Sequence, residues 1–210
     1  MTSPVRGEPR WPAIIAMLAV GGLHMALPRS MTIGPTWALA ATVAVLIVPT
    51  TVAHRRGQHR LNQILGYVIA ALITVAMGGA VATLVSGLPN HTEPPGALLR
   101  SAAVLWAINV LVFASWYWRI DGGGPNRRDA LGVYTNGAFL FPQMTLRGGE
   151  GVPWRPRFVD YLFLAFTTSA AFSPTDTPVL SRWAKLLMMV QAVISFMTVA
   201  VLLARAVNVL

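Results

Sequence analysis

The sequence predicts an all-α, polytopic transmembrane helical bundle: four spans, then a hairpin-like helix–turn–helix whose second arm is a further transmembrane helix. Three observations carry that prediction. Hydrophobic residues make up 55% of the chain and charged residues only 11%, whereas about a quarter of a soluble domain is charged; mean hydropathy is +0.59. Apolar runs of membrane-crossing length recur along the chain. The basic residues, all Arg except Lys185, sit mainly in the connectors between those runs, as membrane orientation requires.

Residues 1–120 form the four-span region. Its first run, Trp11 to Leu27, follows Arg6 and Arg10 and is expected to stay as a signal-anchor, with a cleaved signal peptide as the alternative, because the rest of the chain is polytopic and Pro28 ends the run without a convincing small-x-small site. His24 is read as a helix-end histidine facing a neighbour or the interface, with a proton relay as the sharper alternative. The second run, Thr36 to Ala53, ends in H-R-R-G-Q-H-R. This is the densest basic loop, and it reads as a positive-inside anchor. Leu61 to Leu88 follows, where Gly66, Ala70, Gly78 and Ala82 are expected to mark faces at which helices approach closely. In the fourth run, Ala97 to Ile120, Asn109 is expected to hydrogen-bond across helices, and Trp116-Tyr117-Trp118 to form an interfacial aromatic belt.

Residues 121–157 turn polar and irregular, and are expected to form a cytoplasmic connector. A connection of this length without regular structure is usually functional or disordered. Leu131 to Met144 within it reads as an amphipathic segment lying on the membrane.

Residues 158–210 carry most of the functional information. Phe158 to Phe172 is a short apolar segment of 15 residues, about 22 Å at helical rise against a hydrocarbon core of about 30 Å. A polar knot, Ser173-Pro174-Thr175-Asp176-Thr177-Pro178, separates it from a long apolar run, Trp183 to Leu210. A short helix, a proline-bearing turn and a full span give the outline of a re-entrant pore hairpin, whose irregular backbone must be covered by protein or water.

From Asp160 to Asn208 this stretch resembles the pore module of bacterial potassium channels: an aromatic-rich pore helix, then T-x-x-T-x-G-Y-G-D, a turn, and an inner helix ending near an Arg. In ungapped register, Asp160 falls at the start of the pore helix, and Thr168 and Ala171 on the filter-side threonine positions. Asp176 falls on the acid after the filter, and Arg205 near the inner-helix end. Phe172-Ser173-Pro174-Thr175 stand where the family has V-G-Y-G. Both filter glycines are therefore missing, and Pro174 fixes φ and removes a donor, so potassium-type selectivity is not expected. The resemblance implies a homotetramer with one hairpin per chain around a path for a small ion. Gln191, Ser195 and Thr198 repeat at helical spacing on the last run and are candidates to line that path, with packing against neighbours as the alternative. The whole chain is also similar to a group of bacterial multi-pass membrane proteins that share such a tail.

Other classes find no footing. Cysteine is absent, which excludes disulfides, thiolate metal sites and cysteine nucleophiles. The four histidines make no helical i, i+4 metal pair. No nucleophile elbow or paired-carboxylate site occurs, so no enzyme, metal or cofactor is expected. The net charge of +9 lies in loops rather than on a basic helix interleaved with aromatics, so nucleic acid is not an expected partner. The expected surroundings are the lipid bilayer of the cell membrane. The alternative function is a small transporter or an accessory membrane subunit with no conduction of its own.

Charge also predicts topology. An inside amino end places nearly all arginines before the final module on one side, leaving Arg29 and Arg100 on the other. Phe158 to Phe172 is then expected to cross as a short sixth span that returns the carboxyl end to the cytoplasm. The alternative is a hairpin that enters from inside and leaves the carboxyl end outside.

Overall fold

The computed structural model describes residues 7–32, 34–86, 94–131, 134, 137–146, 154–171 and 176–207. Among them are eight α-helices: α1 Trp11–Met25, α2 Ala38–Arg55, α3 His59–Ser86, α4 Pro95–Ile120, α5 Pro125–Leu131, α6 Pro142–Leu146, α7 Phe158–Ala171 and α8 Arg182–Val207. The described residues hold no strand, only an isolated antiparallel bridge between Phe139 and Val179. α2, α3, α8 and the stretch led by α4 are each long and apolar enough to cross a membrane. The chain is an all-α integral membrane protein. α1 has 15 residues, about 22 Å of helix, and is shorter than the hydrocarbon core.

α4 is the axis of the bundle and packs against α1, α3, α7 and α8. That position fits its composition, since a helix packed on several sides is apolar on most of its surface. Leu98, Leu105, Ile108, Phe113 and Tyr117 are all fully buried. α2 lies at the edge instead, and exposes Val45 and Val48. α3 buries Ile69, Ile73, Met77, Ala80 and Leu84 at helical spacing and turns Val75 outward. Of the small residues expected to mark packing faces, Gly66 and Ala70 are buried while Gly78 and Ala82 are exposed.

Glycine sets two helix ends. α2 stops at Gly57, φ +70°, where Gly57 N–H donates to the His54 carbonyl and Gln58 N–H to the Ala53 carbonyl, the paired bonds of a Schellman termination. α4 stops at Gly122, Gly123 and Gly124, with φ of 59°, 81° and 91°, a left-handed run that L side chains resist.

Contacts fix which helix ends lie together. Asn62 at the start of α3 donates to the Thr50 carbonyl near the end of α2 and accepts from Asn126 of α5. Arg10, ahead of α1, reaches Asn126 and Asp129. The Glu8 carboxylate accepts from Trp118 Nε1 of α4 and from the Phe158 N–H that opens α7. All of these groups share one end of the bundle, which also receives Arg55, Arg56, Arg60, Arg119, Arg127 and Arg128.

α7 and α8 run parallel. Gln191 meets Ala165 and Ser169, and Ser195 meets Ser169 one turn further along both helices. The chain between them must therefore return to the end from which α7 entered. It does: Leu140 N–H donates to the Pro178 carbonyl and Leu180 N–H to the Ala138 carbonyl, while Ala138 N–H is bound to Asp121 at the end of α4. This corrects the expected sixth span. α7 has 14 residues, about 21 Å, and stops inside the bundle. α8, with 26 residues and about 39 Å, then crosses alone and ends opposite the arginine-rich end.

Candidate functional site

The re-entrant hairpin is held at both of its levels by buried polar groups, beginning at the arginine-rich end. Asp121 is fully buried. Its carboxylate accepts Tyr134 Oη–H at 2.5 Å, Tyr161 Oη–H at 2.6 Å and the Ala138 N–H at 2.5 Å. Burial, then the Asp121 charge and hydrogen bond, push the Tyr134 phenol well above its ordinary range, because they favour its neutral, donating form. The Arg128 guanidinium donates to the Trp118 and Asp121 carbonyls and to Glu8, and lies 5.2 Å from the Tyr161 ring centre. Glu8 also accepts the Phe158 N–H, a helix-opening donor with no partner inside its own helix. These groups join the amino end, α4, the connector and α7.

The connector is thus structured where it touches the hairpin. Ala138, Phe139 and Phe141 are buried in the core, with Phe139 and Phe141 packed against Tyr161. The expectation of an amphipathic segment on the membrane surface is corrected for these residues. The Asp121 bond and the bridge to Val179 draw them inward. The aromatic belt is corrected as well. Tyr117 and Trp118 are buried, and Trp118 and Trp116 donate to Glu8 and Thr74 within the chain.

About half-way along α4 lies the second level. Asn109 Nδ2 donates to Ser169 Oγ at 3.4 Å and to the Gln191 carbonyl at 3.3 Å. Gln191 Nε2 donates to the Ala165 carbonyl and to Ser169 Oγ, both at 2.8 Å, and Gln191 Oε1 accepts from Tyr117 Oη–H. Ser195 Oγ donates to the Ser169 carbonyl at 2.7 Å. In hydrocarbon an unpaired polar group is costly, so these bonds specify how α7 seats between α4 and α8. One acceptor, Asn109 Oδ1, is buried without a partner.

The sequence-derived site residues are placed as follows. Asp160 accepts the Arg157 N–H at 2.7 Å and closes the first turn of α7, the reach-back of a capping box. Thr168 is buried and donates to the Leu164 carbonyl of its own helix. Asp176 is exposed, two residues before the paired Pro178. Gln191, Ser195 and Thr198, read as candidates to line a path, are fully buried. Their side chains bond to α4, α7 or α8 itself. Ala171 ends α7, while Phe172, Ser173, Pro174 and Thr175 lie outside the described residues. Sequence reasoning did not single out the groups around Asp121. A signal for them was an acid beside a glycine triplet at the end of a long apolar run.

Comparison with protein-family models, with curated proteins and with solved structures finds no match.

Proposed function

We propose that this membrane protein is a pore-loop protein in which several copies of the α7–α8 hairpin surround a path for a small ion. One observation carries the reading: α7 enters and its following segment leaves at the same end of the bundle, while α8 starts there and crosses. Outer helix, connector, re-entrant helix, the described return at 176–181 and inner helix then follow in the order α4, 121–157, α7, 176–181 and α8. A helix that stops inside the bilayer leaves irregular backbone at depth, which membranes tolerate where protein or a water-filled path covers it. The excess of arginine at the entry end makes that end cytoplasmic, so the loop enters from inside and Asp176 stands at the inner mouth. With no glycine between Phe172 and Asp176, the path is cation-conducting without potassium-type selectivity, and the assembly is a homotetramer.

A second reading has its own observation. Gln191, Ser195 and Thr198 are turned into the chain, and the outer face of α8 presents Leu186, Met189, Val193 and Phe196. An apolar outer face suits an accessory subunit that packs against lipid or another membrane protein. Liposome flux separates the two. The pore reading expects uptake of potassium and sodium at comparable rates and a reduced rate for Asp176→Asn. Liposomes no leakier than protein-free ones would remove the pore reading and leave the accessory one.

A further inference from the structure

We infer that the arginine-rich end carries a binding site for a phosphate-bearing anion, in the cavity between the start of α3, the glycine turn after α4, and α5. The cavity holds about 400 Å³, and its wall includes His59, Arg60, Gln63, Arg119 and Arg127. That volume is within the range of small-ligand sites, about 300–1,000 Å³. Three arginines and a histidine are among its lining residues, and no carboxylate is.

Arg119 makes this more than a basic surface. It is 5% exposed, its Nε has no partner, and among the described residues no carboxylate pairs with it. Its neighbours do have a carboxylate counter-charge: buried Arg128, whose Nε is likewise unpartnered, is paired with Glu8, and half-buried Arg10 with Glu8 and Asp129. The Arg119 guanidinium lies against Gly66, where a Cβ would sit 1.7 Å from Nη1, and 5.5 Å from the Trp118 ring centre. A buried cation without a counter-charge is unfavourable unless a ligand supplies one.

The remaining wall suits an anion too. Gly123 and Gly124 place bare backbone there, and the Arg127 side chain folds over Gly123, whose Cβ would meet Arg127 Cδ at 2.5 Å. Guanidinium forks match the oxygen geometry of phosphate and bind it through charge-assisted pairs of hydrogen bonds. The site lies where α4 reaches the end of its span, the depth of lipid headgroups, and its outer residues Arg60 and Arg127 are exposed. A lipid phosphate and a free phosphate share this chemistry.

The test uses the full-length protein purified in detergent, with Arg119→Met and the double variant Arg60→Gln/Arg127→Gln. Arg100→Gln, at the opposite end, serves as control. Native mass spectrometry measures binding of added phosphatidylglycerol against phosphatidylcholine, and calorimetry measures binding of inorganic phosphate. The expected result is selective binding of phosphatidylglycerol, of inorganic phosphate, or of both, weakened about tenfold or more by each site variant and unchanged by Arg100→Gln. Phosphatidylglycerol binding alone identifies a lipid site, and binding of inorganic phosphate identifies a site open to free anions. The double variant alters exposed side chains and decides the matter even where Arg119→Met does not fold. Failure of wild type to bind either probe, or equal binding by wild type and the double variant, would overturn the inference.

Discussion

The carboxylate of Asp121 accepts the Tyr161 hydroxyl at 2.6 Å, and this bond ties the end of the central helix to the first turns of the re-entrant one. Tyr161 is fully buried, so loss of the carboxylate strands its hydroxyl together with the Ala138 N–H, while Tyr134 keeps the Phe139 carbonyl as an acceptor at 3.0 Å. Asp121→Ala is expected to lower stability by about 3 kcal/mol or more, and Tyr161→Phe by about 1–2 kcal/mol. Because the two groups share one bond, the double variant falls short of the sum. Unfolding of detergent-solubilised protein measures all three. Strict additivity would show that the bond does not hold α7.

The bundle was legible in the sequence because apolar run length and arginine placement are averages over many residues. Asn109 was also legible, since a lone amide in an apolar run must find a partner across helices. The return of the hairpin was outlined by the short Phe158 to Phe172 segment, yet the charge argument favoured a crossing. Charge weighs loops without seeing that Ala138 to Leu140 pairs with Pro178 to Leu180. Gln191, Ser195 and Thr198 could be placed on one face, but periodicity does not say whether that face meets a path or a neighbouring helix. The partners of Asp121 come from residues up to 40 positions away, and no local pattern announces them.

Gln191 joins α8 to α4 and α7, so Gln191→Leu is expected to destabilise the bundle by about 1–2 kcal/mol, the upper range for membrane hydrogen bonds. Met189→Leu, on the outer face, is expected to change monomer stability little. Ion preference in a flux assay is expected to be the same for Gln191→Leu as for wild type. A changed preference would return this side chain to the path.

Glycine substitutions separate the glycine turn from an open face. A Cβ at Gly124 would stand 2.7 Å from the Arg119 carbonyl at φ +91°, and Gly124→Ala is expected to cost about 1–3 kcal/mol. Gly78 has nothing within 4 Å of such a Cβ, and Gly78→Ala is expected to be neutral or stabilising by up to about 1 kcal/mol. Equal effects in thermal unfolding would contradict the described ending of α4.

Alkaline pH probes the connector. The Tyr134 phenol is held neutral by burial and by Asp121, its pKa raised from 10.0. In the unfolded chain it ionises near its ordinary value. Its stabilising contribution is therefore complete below about pH 10 and falls as pH rises beyond it, by up to about 1.4 kcal/mol per pH unit. Tyr134→Phe is expected to flatten that slope relative to wild type between pH 10 and 11. Parallel slopes would place this phenol in water.

Single-cysteine labelling tests the re-entrant hairpin most directly, and the chain has no cysteine of its own. Arg157→Cys, Asp176→Cys and Asn208→Cys are each treated in oriented membranes with a maleimide that cannot cross the bilayer. The account predicts that Arg157→Cys and Asp176→Cys react from the same side and Asn208→Cys from the other. Labelling of Asp176→Cys from the side opposite Arg157→Cys, with Asn208→Cys back on the Arg157 side, would make α7 a full crossing and contradict the hairpin.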